Sequence, residues 1–131
     1  MGLAAVNVAQ GLSADLGLLE NVRLRGCERL LFVECGDGWL AEEAWRRMVK
    51  GYVCGVDRSP RLVARATRLR GVRGKLEFAT WDGRHLPYPD ASFDSVVWRR
   101  DVGGWAEPAH VLCEMRRVAR AGGQVYLVGL S

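Results

Sequence analysis

The sequence predicts an α/β fold, a mainly parallel sheet covered by helices on both faces. Three observations predict it. Short, almost wholly apolar runs alternate with stretches of helical periodicity, the pattern of successive βαβ units joined by right-handed crossovers. The apolar runs lack the alternation of a half-exposed sheet, which suits strands buried on both faces. Glycines and acids gather just after these runs, at what become the carboxyl ends of the strands, where open α/β sheets bind ligands.

The elements follow in order. At 131 residues the chain supports one domain with one core. Residues 1–26 are small and apolar, broken by Gly2, Gly11 and Gly17. Ser13 is placed to cap a short helix through Asp15, Leu16, Leu18, Leu19 and Val22, so this part is expected to be a helical segment over the edge or face of a core formed by 27–131. Arg29 to Glu34 is the first strand, and it runs straight into the glycine turn CGDGWLA. Asp37 is placed to cap a helix from about Gly38 to Lys50. In it Leu40, Ala44 and Met48 form the buried stripe, while Glu42 with Arg46 and Glu43 with Arg47 pair outside. Gly51 supplies the stop, and Tyr52 to Val56 is a second strand ended by Asp57.

Ser59 and Pro60 start the next helix, with proline at its first position. Leu62, Ala66 and Leu69 share its inner face; Arg61, Arg65 and Arg68 make a solvated one. Lys75 to Thr80 is a third strand, followed by Trp81, Asp82 and Gly83 and by a compact loop containing Pro87 and Pro89. Phe93 to Trp98 is the fourth strand and Arg99 to Trp105 a polar loop. Pro108 opens a helix whose core face is Val111, Leu112, Met115 and Val118; Gly122 and Gly123 end it, and Gln124 to Val128 is the fifth strand.

Bulk properties narrow the function classes. The formal charge is +4, and of nineteen basic residues only Lys50 and Lys75 are lysines, a bias toward arginine that does not by itself call for nucleic acid. Cys27, Cys35, Cys54 and Cys113 form no C-x-x-C pair, so reduced thiols are expected rather than a metal or disulfide framework. No apolar run approaches membrane-spanning length and no secretory leader opens the chain, so the expectation is a cytoplasmic protein.

The residues at the predicted strand ends form one set: Glu34 to Gly38, Asp57, Asp82 with Gly83, and Trp98 to Arg100. Asp57 stands nineteen residues after Gly38, the interval at which an acid after the second strand reaches ribose hydroxyls in nucleotide-binding folds. GDGWLA also satisfies the dinucleotide pattern G-x-G-x-x-A, so a nicotinamide- or flavin-binding domain competes at this point. The plainer readings are a capping or turn role for Asp57 and Asp82, core packing for Trp81 and Trp98, and structural or surface roles for His85 and His110.

The block WDGRHLPYPDASFDSVVW, Trp81 to Trp98, resembles class I S-adenosylmethionine-dependent methyltransferases of small-molecule type, whose members carry an LP-x-PD-x-SFD-x-V run. GVDRSPRLVARA, Gly55 to Ala66, and EMRRVARAGGQVYLV, Glu114 to Val128, resemble the same family in order and spacing. The resemblance implies a Rossmann-like three-layer sandwich with strand order 3-2-1-4-5, lacking the family's usual last two strands. It implies S-adenosylmethionine as cofactor, S-adenosylhomocysteine as product and a small-molecule acceptor, with no metal. By resemblance Gly36 and Gly38 let the turn approach the cofactor, Asp57 binds its ribose, and Arg58 lies beside the adenine. Asp82 and the backbone of Gly83 meet the adenine ring, and Trp98 with Trp81 walls the pocket. No residue takes a catalytic label. The Asp82 and LPYPDASFD block disfavours the nicotinamide reading.

Two departures from the family pattern stand out. Laid on VLDVGCGTGRLA, the turn LLFVECGDGWLA has Phe32 in place of the acid and Glu34 in place of the first glycine. Residues 32 and 34 are expected on one face of a strand, so either Glu34 supplies the missing carboxylate or its side chain fills space the cofactor needs. These substitutions also support the alternative of a catalytically inactive relative acting as a binding or oligomeric partner. The second departure is that the fifth strand is expected as an open edge, from which self-association as a homo-oligomer follows.

Overall fold

The structure, a computed structural model, describes residues 4–10, 26–100 and 108–129. Its elements in chain order are β1 (Ala5–Gln10), β2 (Arg29–Val33), α1 (Trp39–Arg46), β3 (Tyr52–Asp57), α2 (Pro60–Arg70), β4 (Leu76–Thr80), β5 (Phe93–Arg100), α3 (Pro108–Val118) and β6 (Ala119–Gly129). The sheet runs β1-β6-β5-β2-β3-β4, with every neighbouring pair parallel. From β4 to β6 this is the predicted order of five strands, with a sixth added at the far edge.

That sixth strand corrects two expectations. Residues 5–10 are a strand and not part of a helical segment. Val6 and Val8 are β-branched residues, a type that favours extended backbone. β1 pairs with β6 from Ala5 opposite Gln124 to Gln10 opposite Gly129, so β6 is an inner strand and the argument for self-association through its edge is removed. The helix expected over Asp15 to Val22 lies outside the described residues.

Side-chain alternation along β2 divides the core. Leu31 and Val33 join Val56, Trp98 and Val125 in one cluster with Val111, Met115 and Val118 of α3. Leu30 and Phe32 join Val53 and Val97 in the other with Leu40, Ala41 and Ala44 of α1. The sheet is therefore buried on both faces, which is why its strands read as unbroken apolar runs. Among the described residues no helix is long and apolar enough to cross a membrane.

Several boundaries differ from expectation for local reasons. Helix α1 starts from Gly38 in the left-handed region (φ 84°), and Asp37 accepts the Trp39 N–H at 3.1 Å from one residue outside the cap. α1 stops near Arg47, and a Cβ on Gly51 would stand 2.4 Å from the Met48 sulfur, so Met48 folds across that glycine. In α2 the buried positions are Val63 and Ala66 while Leu69 is exposed. β5 continues through Arg99 and Arg100, and β6 begins directly after α3, with Gly122 and Gly123 inside the strand. Gly123 lies so close to Asp94 that a Cβ there would be 2.6 Å from its carbonyl oxygen. The register slips at this place, between Phe93 and Ser95.

Candidate functional site

Strand β2 has β3 on one side and β5 on the other. The chain leaves β2 for β3 and β4, then returns across the sheet to β5. Strand order reverses there, and ligands of open parallel sheets dock outside the carboxyl ends of such strands.

The turn after β2 is held by short bonds. Cys35 N–H donates to Val56 O at 3.0 Å, and Gly38 N–H donates to Cys35 O at 3.0 Å. Asp57, only 7% exposed, accepts from the Gly36 N–H through Oδ2 at 2.9 Å and from the Ser59 N–H through Oδ1 at 3.0 Å. Ser59 Oγ in turn caps α2 by accepting from the Leu62 N–H at 3.2 Å. Asp57 thus orders the glycine turn and the entry to α2 together. From outside, Arg70 donates through Nε to Asp37 O at 2.9 Å and through Nη1 to Glu42 at 2.8 Å.

The two glycines of the turn do different work. A Cβ on Gly38 would stand 2.6 Å from the Phe78 ring and 3.3 Å from Ala66 Cβ, so its bareness lets α1 approach β4 and α2. A Cβ on Gly36 would meet nothing within 4 Å. Gly36, at φ 59°, faces open space, so its backbone is uncovered on that side.

Glu34 departs most from expectation. β2 ends at Val33, and Glu34 takes a left-handed backbone (φ 59°) that turns its side chain out of the strand's alternation. Phe32 is buried among Leu30, Leu40 and Val53, whereas Glu34 bonds Trp81, a member of the opposite cluster. Residues 32 and 34 therefore do not share a face. Glu34 Oε1 accepts from Trp81 Nε1 at 3.1 Å and from Arg58 Nε at 3.2 Å. Its side chain is 14% exposed. Burial, and next the charge of Asp57, push its carboxyl up to about 7, against the pull of Arg58 and the Trp81 bond. Burial, then Asp57, also push the Cys35 thiol up to about 12.

Asp82 and Gly83 follow Trp81 beyond β4. Asp82 is exposed, and its Oδ1 accepts from the N–H groups of His85 and Arg84 at 2.8 Å each, which holds its carboxyl below the usual range. Gly83 is left-handed (φ 86°). Trp98 is fully buried between Val33 and Leu127 in register, in the cluster that includes Trp81. His110 Nε2 lies 2.8 Å from Arg84 O, edge-on to His85. The LPYPD loop is fastened to α3: Glu114 accepts from the Leu86 N–H at 2.8 Å, and Arg117 donates to Leu86 O, Tyr88 O and Asp90 at 3.0, 2.8 and 2.9 Å. The structure thus brings Glu34, Gly36, Asp57 and Arg58 together, with Trp81 as the link to β4, while the Asp82 carboxylate serves its own turn.

The reading of the residues missed the Glu34 to Trp81 bond and the Arg70 clamp. No spacing rule signals either, since they join positions 47 and 33 residues apart.

Residues 31–127 match the family model described as a methyltransferase domain. The chain is 39% identical over 79 residues to a phosphatidylethanolamine N-methyltransferase of Cereibacter sphaeroides, covering 58% of this chain and 39% of that protein. It is 34% identical over 101 residues to a demethylmenaquinone methyltransferase of Deinococcus radiodurans, covering 76% of this chain and 42% of that one. Among solved structures, the cyclase SpnF superposes with a TM-score of 0.74 at 33% identity, covering 86% of this chain and 43% of that one. The chain spans about two fifths of the length of the curated relatives it matches.

Proposed function

Because the chain belongs to the S-adenosylmethionine-dependent methyltransferase domain family, we propose that it binds S-adenosylmethionine at the carboxyl ends of β2, β3 and β4 and methylates a small-molecule acceptor. The observation that carries this is the pairing of Gly36, open on its outer side, with the nearly buried Asp57 that orders it.

The residues present fit the cofactor. Each Asp57 oxygen holds one backbone N–H, and a carboxylate with about four lone-pair sites retains capacity for both ribose hydroxyls. Arg58, Asp82 and Gly83 would take the adenine side, Gly36 the close approach to the main chain, and Trp81 the wall, while Trp98 is fully buried in the same core cluster and packs rather than contacts. Gly38 supports the turn by packing rather than by contact. Bound there, the cofactor would supply an electrophilic methyl group on a sulfonium. The chain's own part is to hold and orient and to exclude water, which supplies much of the acceleration in such a transfer without a dedicated base. A cytoplasmic setting accords with Cys27, Cys35, Cys54 and Cys113 being free thiols.

A second reading, a catalytically inactive relative, draws support from Glu34 in the turn, where its carboxylate holds Trp81 and Arg58. Thermal shift with S-adenosylhomocysteine, against nicotinamide dinucleotide as control, tests the site. Stabilisation by the former alone is expected, and its absence overturns the cofactor assignment. Release of S-adenosylhomocysteine with candidate acceptors then divides enzyme from inactive relative.

A further inference from the structure

The carboxyl ends of β2, β3 and β4 form the track along which the nucleoside part of the proposed cofactor would lie. One side chain crosses that track. Glu34 starts at the end of β2, meets Arg58 just after β3 and ends on the indole N–H of Trp81 just after β4. It is mostly covered, at 14% exposure, and its left-handed backbone aims it there. Beside it, Gly36 opens onto free space and Asp57 offers its carboxylate.

We infer that Glu34 is a latch lying across the nucleoside track of this site, and that a ligand seats only when the Glu34 carboxylate leaves Trp81 and Arg58. This rests on the cofactor reading above. The chemistry of the latch is a charge-assisted hydrogen bond to Arg58 and a second bond to an indole, both given up on binding. Arg58 and Trp81 are then released toward the ligand, a cation and an aromatic face suited to an adenine ring. Glu34 thereby sets affinity and selectivity. A ligand whose groups re-pair Arg58 and Trp81 recovers the cost of opening, while one that reaches only Asp57 does not.

The test is calorimetric titration of wild type, Glu34→Gly and Glu34→Gln with S-adenosylhomocysteine, with the indole N–H resonance of Trp81 followed by NMR. Glu34→Gly removes the latch and is expected to bind about tenfold more tightly, the equivalent of about 1.4 kcal/mol. Glu34→Gln keeps the bulk and is expected to fall between the two. In wild type the Trp81 indole signal is expected to shift sharply on saturation; in free Glu34→Gly it should already stand away from its wild-type position. Equal affinities in wild type and Glu34→Gly, or weaker binding in the variant, overturn the latch. If neither protein binds while both remain folded by circular dichroism, it is the cofactor reading that fails. If Glu34→Gly is unfolded, Arg58→Met serves in its place. There the Trp81 bond alone secures Glu34, and a Trp81 signal that does not respond to ligand in that protein overturns the latch.

Discussion

Asp57 and Gly36 are joined across two strand ends, the carboxylate of one accepting from the backbone N–H of the other at 2.9 Å. The bond makes the turn after β2 depend on a residue at the end of β3. Truncating it removes both acceptors that Asp57 supplies, for Gly36 and for Ser59. Asp57→Ala is expected to lose about 2–4 kcal/mol, because two part-buried N–H groups lose their partners. Asp57→Asn, which keeps one acceptor, should lose about half as much. Urea unfolding of the three proteins measures the series, and equal stability of wild type and Asp57→Ala contradicts it.

The two glycines of the turn should respond differently. Gly38→Ala brings a methyl group within 2.6 Å of the Phe78 ring at a left-handed φ of 84°, and a loss of about 3 kcal/mol is expected from overpacking and backbone strain together. Replacing Phe78 with Leu in that background should recover part of it. Gly36→Ala meets no neighbour and carries only the strain, about 1–2 kcal/mol. Thermal denaturation ranks the three; a larger loss at Gly36 than at Gly38 would show that the packing account is wrong.

Arg117 fastens the loop from Leu86 to Asp90 onto α3. Arg117→Met keeps the apolar stem and removes the donors, leaving Glu114 without its strongest partner. An expected loss of about 2 kcal/mol follows from bonds to a charged group. Hydrogen exchange should quicken at Leu86 and Tyr88, whose amides bond Glu114 and Leu86 O, while β2 and β3 keep their protection.

Glu34 makes stability depend on pH in an unusual direction for a carboxylate. Its group is raised to about 7 by burial and by Asp57, against the pull of Arg58 and Trp81. A folded state that binds the proton more tightly than the unfolded chain gains stability at low pH. That contribution is complete below the ordinary glutamate range near 4.5 and is lost as pH rises through about 7. Measured from pH 5 to pH 8, the melting temperature of wild type should fall relative to that of Glu34→Gln. A difference between the two proteins that stays constant over this range counts against the assignment.

The thiols should divide in reactivity. Cys27 and Cys113 are exposed, while Cys35 and Cys54 are buried with their thiols raised by desolvation. At pH 8 a thiol reagent is expected to label the exposed pair quickly in the native protein and the buried pair only after denaturant is added. Fast labelling of Cys35, read by peptide mapping, contradicts the buried placement.

Much of this molecule was legible in the chain itself. Unbroken apolar runs at Leu30 to Val33 and Tyr52 to Val56 announced strands buried on both faces, and the same runs line two opposed core clusters. The Glu42–Arg46 and Glu43–Arg47 pairs followed from helical spacing and are present at 3.8 and 3.4 Å. Asp57 could be placed from its distance to the glycines, because one crossover helix fixes the length between adjacent strand ends. β1 was harder to see, since an edge strand of small residues carries little apolar pattern of its own and gains its pairing from β6.

What the sequence determined alone was local in origin: periodicity, capping and turn chemistry gave the strands and helices in their succession along the chain, the glycine turn and the acid beside it, while the order of the strands in the sheet came from the family resemblance. What only the tertiary structure decided was how those parts meet. It set Gly38 against Phe78 and left Gly36 open, covered β6 with β1, and turned Glu34 away from the face of Phe32 onto Arg58 and Trp81. The physical reason is that these contacts depend on strand register and on a single left-handed residue at the end of β2. Neither leaves a mark in residue spacing, because the partners of Glu34 lie 24 and 47 positions away and become neighbours only when three strands are laid side by side.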